Sequence, residues 1–525
     1  MRGSRSGEGS TYRKRTSLLG DVVNSNPVVA GTTYFGYTPT RMGVSGYADH
    51  YQKKGARGQT IFVGSNNGFL HAFDAMTGAE RFAYMPRGVM QGTAIRGLGS
   101  TSFTHNFLVD GRLHYNDAYI DGSWRSVLVG GLGAGGKTVF ALDITEPALF
   151  DENKVLWEFS EPDMGYSYGE PVVGRLKNGT WVAVFGNGFG QKTITVKEKG
   201  QDVIKDVGID GYLYIVDLKD GKILHKLSAG TQTGGLGAAN FVYEQNSKTK
   251  SGDGFLYIHK IYAGDRSGNL YMFEDTGNHS SVSFAAGKKL FSALDAAGKA
   301  QPVTVQPVIA PHPDGQAGNM IFFGTGSYSM ADDVSAPKLT DVQSVYAVWD
   351  DGKTTALTRA SLEQRNTLAE VTVSDSTYRI VQEGSSINWA NKYGWYMDLM
   401  VGGLKQGERV VFEPRLDLGR LYVRTLIPST NPCAGGGSGW EMFLDIATGG
   451  RLPYSVFDVN SDGVVNELDY VVYGGVKVPV SGIKSTEIPT GGELLVGDEQ
   501  CFYGGRLTSC DTRLVERRQS WEQLQ

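Results

Sequence analysis

One phrase recurs along this chain and limits what it can fold into. An apolar strand ends at Gly, a Gly-rich turn follows, and a second strand closes on an acidic residue. It is plainest in TIFVGSNNGFLHAFDAMTG (Thr60–Gly78), RSVLVGGLGAGGKTVFALDI (Arg125–Ile144) and GYLYIVDLKDGKIL (Gly211–Leu224). KIYAGDRSGNLYMFED (Lys260–Asp275) and MIFFGTGSYSM (Met320–Met330) repeat it. Branched or aromatic residues alternate with small ones between Gly, Asn and Asp, which is how strands are punctuated. The closing acids Asp74, Asp143, Asp217, Glu274 and Asp350 lie 69, 74, 57 and 76 residues apart. Propeller blades repeat at about 40–50 residues, so this spacing predicts blades enlarged by insertions. A second marker is Pro followed by branched residues, at Pro27-Val28-Val29, Pro171-Val172-Val173 and Pro307-Val308-Ile309. Pro suits the first residue of a strand, where no ladder donor is needed.

After Asp350 related phrases return in GWYMDL (Gly394–Leu399) and GWEMFLD (Gly439–Asp445). The pattern predicts an all-β fold, a modified and irregular β-propeller of about six to eight blades with seven as the central expectation. It would occupy residues 19–525 behind a leader or linker at residues 1–18. A row of separate β-sandwiches is the alternative architecture. Helix-period sequence is nearly absent, the best stretch being TRASLEQRNTL (Thr358–Leu368).

Composition narrows the function. Gly is 72 of 525 residues, about twice the usual share, as turn-rich β folds require. Fifty Lys+Arg against 55 Asp+Glu leave a charge of −5, without the basic excess of a general nucleic-acid binder. No run approaches the ~18 apolar residues of a membrane helix. The opening MRGSRSGEGSTYRKRTS lacks the apolar core of a signal peptide. Cys433, Cys501 and Cys510 form neither CxxC nor a zinc pattern.

The strongest chemical motif is DVNSDGVVNELD, Asp458 to Asp469. An EF-hand-like calcium loop sets oxygen ligands at its positions 1, 3, 5, 7, 9 and 12, with Gly at 6 for the sharp turn. Asp458, Asn460 and Asp462 take positions 1, 3 and 5, and Gly463 takes position 6. Val464 offers its carbonyl at position 7, Asn466 a contact through water at 9, and Asp469 replaces the usual Glu at 12. So many oxygens on one short turn suit Ca²⁺, a hard cation that takes six to eight of them. A solvated Asp/Asn/Gly turn is the plainer alternative, and the number of matching positions weighs against it.

Other matches fail on context. GYSYG (Gly165–Gly169) spells a nucleophile elbow around Ser167, but EPVVGRL after it is a strand start where the elbow needs a helix. Gly131, Gly133 and Gly136 spell G-x-G-x-x-G, yet a strand, KTVFALDI, follows instead of the helix of a dinucleotide site. The eight His form no HxH or HExxH and read as core or surface residues. Tyr212, Tyr214, Tyr271 and Phe273 alternate on strands and read as packing between blades. The tail Arg513–Arg518 reads as a solvated end.

Taken together, the phrases resemble the PilY family of type IV pilus tip proteins. The resemblance rests on SLLGDVVNSNPV (Ser17–Val28), IFVGSNNGFLHAFDAMTG and MGYSYGEPVVGRLKNGTWVAVFGNG (Met164–Gly188). IYAGDRSGNLYMFE, FFGTGSYSM, SVYAVWDDG (Ser344–Gly352) and NPCAGGGSGWEMFLDIATGG (Asn431–Gly450) extend it to the end of the chain. It implies the propeller that forms the C-terminal half of such proteins, preceded in them by a signal peptide and a region with a von Willebrand A-type domain. The chain is accordingly expected to be a C-terminal fragment or the product of a truncated gene model. The implied role is non-enzymatic: promotion of pilus assembly against retraction, adhesion and twitching motility. The implied place is the extracellular pilus tip or outer-membrane surface, reached through the periplasm. Minor pilins and the pilus assembly machinery are the implied partners, with a host or abiotic surface beyond them, and neither nucleic acid nor a membrane span is involved. Ca²⁺ is the implied cofactor.

Two departures from the family stand out. Some members carry their calcium loop just before the IYAGD strand, where Gln245–Gly254 here has one carboxylate, Asp253. Arg2-Gly3-Ser4 lacks the acid of the Arg-Gly-Asp seen in some relatives. In an oxidising exterior disulfides persist. The expectation is a Cys501–Cys510 bond across the Gly504-Gly505 turn, with Cys433 free or paired to the N-terminal half that the family carries. A quinoprotein-type propeller dehydrogenase is the enzyme alternative, although no adjacent cysteine pair is present. A dockerin-like module is a third reading, but it normally needs a second copy of the loop.

Overall fold

A computed structural model describes residues 4–198, 201–245, 256–278, 281–329, 333, 340–354, 356–417, 419–429 and 437–489, with the backbone of three short strands between 495 and 508. Strands make up 44% of the chain and helix 9%, so the all-β expectation holds. The first sheet is an antiparallel meander of β1 (Val28–Ala30), β2 (Thr60–Gly64), β3 (Leu70–Asp74) and β4 (Glu80–Tyr84). The second is β5 (Leu113–Ile120), β6 (Ser123–Gly131), β7 (Val139–Asp143) and β8 (Val155–Phe159). In the third, β9 (Val172–Arg175) and β10 (Trp181–Gly186) are followed by a separate ribbon, β11 (Gln191–Glu198) with β12 (Gln201–Gly208). β13 (Tyr212–Asp217) and β14 (Ile223–Ser228) complete that sheet.

Next come β15 (Leu236–Gln245), β16 (Leu256–Asp265), β17 (Asn269–Glu274) and β18 (Lys288–Ser292). A fifth row joins β19 (Val308–Pro311), β20 (Asn319–Gly324) and β21 (Ser344–Asp350). β22 (Leu357–Thr358) pairs in parallel with β18. β23 (Glu363–Val373) and β24 (Ser376–Val381) precede β25 (Gly394–Val401), the fourth strand of the fifth row. The sixth row is β26 (Arg415–Asp417), β27 (Arg420–Arg424), a long β28 (Gly437–Asp445) and β29 (Gly482–Ser485). β23 and β24 link the last two rows into one extended sheet. Six four-stranded rows are thus present among the described residues, within the expected range.

The chain divides into two compact units, Met1–Ala263 with Met272–Lys288, and Gly264–Tyr271 with Lys289–Gln525. Within the first, Trp124, Trp157, Trp181, Phe159 and Phe185 lie in one buried core. Within the second, Trp349, Trp395, Trp440, Met397 and Met442 do the same.

The local signals land where turn chemistry puts them. Asp74, Asp143, Asp217, Glu274 and Asp350 are the last residues of β3, β7, β13, β17 and β21. The four aspartate carboxylates bond into the turns that follow. Asp74 accepts from the N–H of Met76 and Thr77 at 3.0 and 2.9 Å, and Asp217 from Lys219 at 2.9 Å. Asp350 accepts from Gly352 at 2.9 Å, and Asp445, at the end of β28, from Thr448 at 2.8 Å. Asp bonding its own backbone two or three residues on is the reason it favours such sites. Pro27, Pro171 and Pro307 directly precede β1, β9 and β19.

Thr358–Leu368 is a correction. It forms the end of β22, a single 3-10 turn at Arg359–Ser361 and the start of β23, not a helix. Burial there alternates: Arg365 and Thr367 are buried, Gln364 and Asn366 exposed. The pull is tertiary, since β23 pairs in parallel with β25 and antiparallel with β24. The Arg365 guanidinium is satisfied by the carbonyls of Thr448 (2.6 Å) and Ser385 (2.8 Å). The longest helix, α1 (Tyr47–Ala56), falls where strands and turns were expected.

At the end of β16 the buried Asp265 accepts from the backbone N–H and side-chain amide of Asn269 at 2.8 and 2.9 Å. Burial dominates these bonds and pushes its carboxyl up to about 6. A raised carboxyl means the folded state keeps a proton that the unfolded chain has released. Its contribution is present below about pH 4 and is lost as pH rises through 6. The stability of Asp265→Asn relative to wild type should therefore rise between pH 4 and pH 7, by roughly 2–3 kcal/mol. Urea midpoints at both pH values check this, and a pH-independent difference between the two proteins would refute it.

Candidate calcium loop

The loop at Asp458–Asp469 leaves a buried base. Val456, Phe457 and Val459 on one side and Val471 and Val478 on the other pack with Tyr422 and Phe443. Gly463 at φ +84° and Ser461 at φ +60° turn the backbone. Asp458 accepts from the N–H of Asp462 (3.2 Å) and Gly463 (3.0 Å), so position 1 holds positions 5 and 6. Asn460 Oδ1 accepts from Asp462 N–H at 2.9 Å, and Asp462 Oδ1 from Val464 N–H at 2.8 Å. Asn460 Nδ2 also donates to Asp462 Oδ2 at 2.9 Å. Asp469, fully buried, closes the ring: Oδ1 accepts from Val459 (2.7 Å) and Asn460 (3.2 Å), Oδ2 from Asn466 (2.7 Å). Asn466 caps the short turn Glu467–Asp469 by accepting from Leu468 N–H at 2.7 Å.

The fold therefore gathers Asp458, Asn460 and Asp462 on one turn and sets Asp469 beneath it as a clamp. Val464 stands with its side chain exposed. Among the described residues no three His, Cys, Asp or Glu side chains converge as a metal-holding group. The donor set is nonetheless all oxygen, amide and carbonyl groups included, which fits a hard cation. Asp458 Oδ1 and Oδ2, Asp462 Oδ1 and Asp469 Oδ2 each accept one backbone N–H and keep a second lone pair for an ion, whereas Asp469 Oδ1 accepts two.

Other candidates resolve into structure. Ser167 is buried; its one hydroxyl proton is shared between the carbonyls of Gly136 (3.1 Å) and Thr138 (3.0 Å), and its oxygen accepts from Leu132 N–H (2.9 Å). It staples the Gly131–Gly136 turn, and at Gly135 a Cβ would come 1.9 Å from the Leu108 carbonyl. Those glycines serve close backbone approach. His71 pairs with Glu80, His105 with Asp21 and His114 with Glu170, while His312 lies against Trp349 and Trp389. Tyr214 is buried against Phe159 and Phe185. Strands Cys501–Tyr503 and Arg506–Thr508 pair antiparallel, with Cys501 opposite Thr508. Cys433, Cys510 and the Cys501 side chain lie outside the described residues, as do Arg2-Gly3, residues 246–255 and the tail Arg513–Arg518.

One cluster had no sequence signal. On α1, Tyr47, His50 and Lys54 share a face and converge on Asp117 of β5. Tyr47 donates to Oδ2 at 2.9 Å, His50 Nε2 lies 3.3 Å from Oδ1, and Lys54 Nζ contacts Oδ2. Ser126 donates to Oδ1 at 2.7 Å. All five residues are under 9% exposed, which marks the cluster as an anchor for α1.

Comparison with known proteins gives one direction. The family model described as the PilY1 beta-propeller domain matches residues 19–379. The type IV pilus biogenesis factor PilY1 of Pseudomonas aeruginosa (strain PAK) is 34% identical over 572 residues, covering 100% of this chain and 47% of the relative. A PilY1 homolog of Xylella fastidiosa (strain Temecula1 / ATCC 700964) is 36% identical over 479 residues, covering 86% of this chain and 31% of the relative. The crystal structure of the Pseudomonas aeruginosa PilY1 C-terminal domain aligns at TM-score 0.72 and 29% identity, covering 92% of this chain and 98% of that one. The chain thus spans about half the length, or less, of the curated relatives it matches.

Proposed function

The chain belongs to the PilY1 β-propeller family, and from that premise we propose that it acts in type IV pilus biogenesis as a non-enzymatic, calcium-binding surface factor. The observation that carries the reading is its likeness over nearly its whole length to the C-terminal domain of a named pilus biogenesis factor. The role is promotion of pilus assembly against retraction, with support of adhesion and twitching motility. It is exercised at the pilus tip or outer-membrane surface with minor pilins as partners. No described helix is long and apolar enough to cross a membrane. Ca²⁺ would be held by Asp458, Asn460, Asp462 and the Val464 carbonyl, with Asn466 through water and Asp469 closing the loop. Bound there, the ion neutralises carboxylates crowded on one turn and fixes the loop's shape.

Asp at position 12 reaches less far than Glu, and the sequence carries no second copy of the loop pattern. An affinity between those of sensors and extracellular modules follows, roughly 10⁻⁵–10⁻⁴ M. Asp462→Ala removes a ligand and a charge together and should abolish calcium heats in titration calorimetry, with the fold intact by circular dichroism. Deleting the gene should reduce surface piliation and twitching, and the Asp462→Ala gene should restore them incompletely. Equal heats in wild type and variant would remove calcium from the reading. Normal piliation in the deletion strain, together with quinone-dependent alcohol oxidation by the purified protein, would favour the propeller dehydrogenase instead.

A further inference from the structure

Residues 17–27 run as a strap without regular secondary structure before β1. Its polar groups are tied to the body of the first unit. Asp21 Oδ2 accepts from Asn66 Nδ2 at 2.7 Å and lies 2.8 Å from His105 Nε2, and the Asp21 carbonyl accepts from Asn66 N–H at 3.0 Å. Asn24 donates through both its backbone and its side chain to Asp110, at 3.0 and 2.5 Å. Ser25 Oγ, buried, accepts from Gly64 N–H at 2.8 Å. Burial raises the Asp110 carboxyl, and the bonds from Asn24 oppose that. The strap is therefore fixed in place by its own polar side chains.

Its aliphatic residues face the other way. Leu18, Leu19, Val22 and Val23 are 47%, 39%, 40% and 54% exposed, and Phe107, two residues from His105, is 37% exposed. Scattered exposed apolar residues are normal, but four half-exposed aliphatic residues on one short strap tied down by its polar groups mark an interaction surface. The family match supplies the occupant. The chain is covered completely by a relative of which it spans 47%. The solved counterpart is a Pseudomonas aeruginosa PilY1 C-terminal domain, so in such a relative about half the polypeptide lies ahead of the matched span, near whose start this strap falls.

We propose that the Leu18–Val23 strap is the docking surface for the N-terminal region of a PilY1-type polypeptide, which covers its aliphatic row. The inference rests on family membership and not on the pilus or calcium assignments. To test it, Val23→Cys is introduced into residues 1–525 alone and into a hybrid in which the N-terminal region of the strain PAK relative precedes residue 1. Maleimide labelling of the Val23→Cys peptide is followed by mass mapping, with Val472→Cys as an exposed control. The expected result is labelling at least tenfold slower in the hybrid at residue 23 and unchanged at residue 472, with Leu19→Asp in the hybrid restoring the fast rate. Equal rates in both proteins would overturn the proposal. Slow labelling in residues 1–525 alone, with a dimer in sedimentation that Leu19→Asp dissociates, would assign the row to a second copy and equally overturn it. If Leu19→Asp disturbs the near-ultraviolet circular dichroism, Leu19→Ser reads the same surface.

Discussion

Asp117→Asn is expected to destabilise the protein by about 3–5 kcal/mol, the usual cost of removing one partner from a buried ion pair. The Asp117 side chain is fully buried, and that of Lys54 is 2% exposed. Burial alone would raise the Asp117 carboxyl, yet the contacts with His50 and Lys54 hold it below the ordinary carboxylate range. Burial lowers Lys54, and Asp117 opposes that shift. With Asn at 117 the ammonium keeps the faces of Phe35, Tyr51 and Tyr115, within 4.9–5.6 Å of Nζ, but has no counter-charge. Either it stays charged and unpaired or it gives up its proton on folding, and both are costly. Lys54→Met added to Asp117→Asn should recover part of the loss, because no charge is then stranded. Urea unfolding of the wild type, the single variant and the double variant measures this. A single variant within about 1 kcal/mol of wild type, the range of an exposed pair, would show that the pair is not buried in solution.

The second large effect is expected at Asn187, directly after β10. Its side chain makes four bonds and is fully buried. Nδ2 donates to the carbonyls of Asp163 (2.8 Å) and Asp210 (2.9 Å), and Oδ1 accepts from the N–H of Tyr212 and Leu236, each at 3.0 Å. One amide thus ties together four backbone groups, three in part-buried bonds and that of Leu236 in a buried one. Asn187→Ala removes all four bonds. At about 1 kcal/mol net for each bond, more where a donor stays unsatisfied, the expected loss is about 3–5 kcal/mol. Asn187→Asp should be at least as damaging, because its carboxylate faces two carbonyl oxygens where Nδ2 donated. Thermal unfolding of both variants decides the matter, and an Asn187→Asp protein as stable as wild type would refute this account.

Much of the fold was legible because it is written locally. An Asp that ends a strand bonds N–H groups two or three residues on, as Asp74, Asp217 and Asp445 do. The calcium-loop pattern was readable for the same reason, since its bonds stay within one twelve-residue turn, from Asp458–Gly463, five apart, to Val459–Asp469, ten apart. Chemistry confined to such a span leaves its spacing in the sequence.

What lay beyond reach depends on partners far along the chain. Lys54 and Asp117 are 63 residues apart, and neither announces the other. α1 went unread because the side chains buried on it are Tyr47, His50 and Lys54, not the apolar stripe by which a helix is recognised. Thr358–Leu368 has the composition of a helix and becomes strand because β24 and β25 offer it ladders on both sides. The aliphatic residues of Leu18–Val23 are left partly exposed because the strap's polar groups tie it to partners at Asn66 and Asp110, far along the chain. Turn geometry is settled by a few neighbouring dihedrals and so by sequence alone. Burying a charge or exposing a leucine is settled by what the rest of the chain brings alongside, and only the tertiary structure contains that.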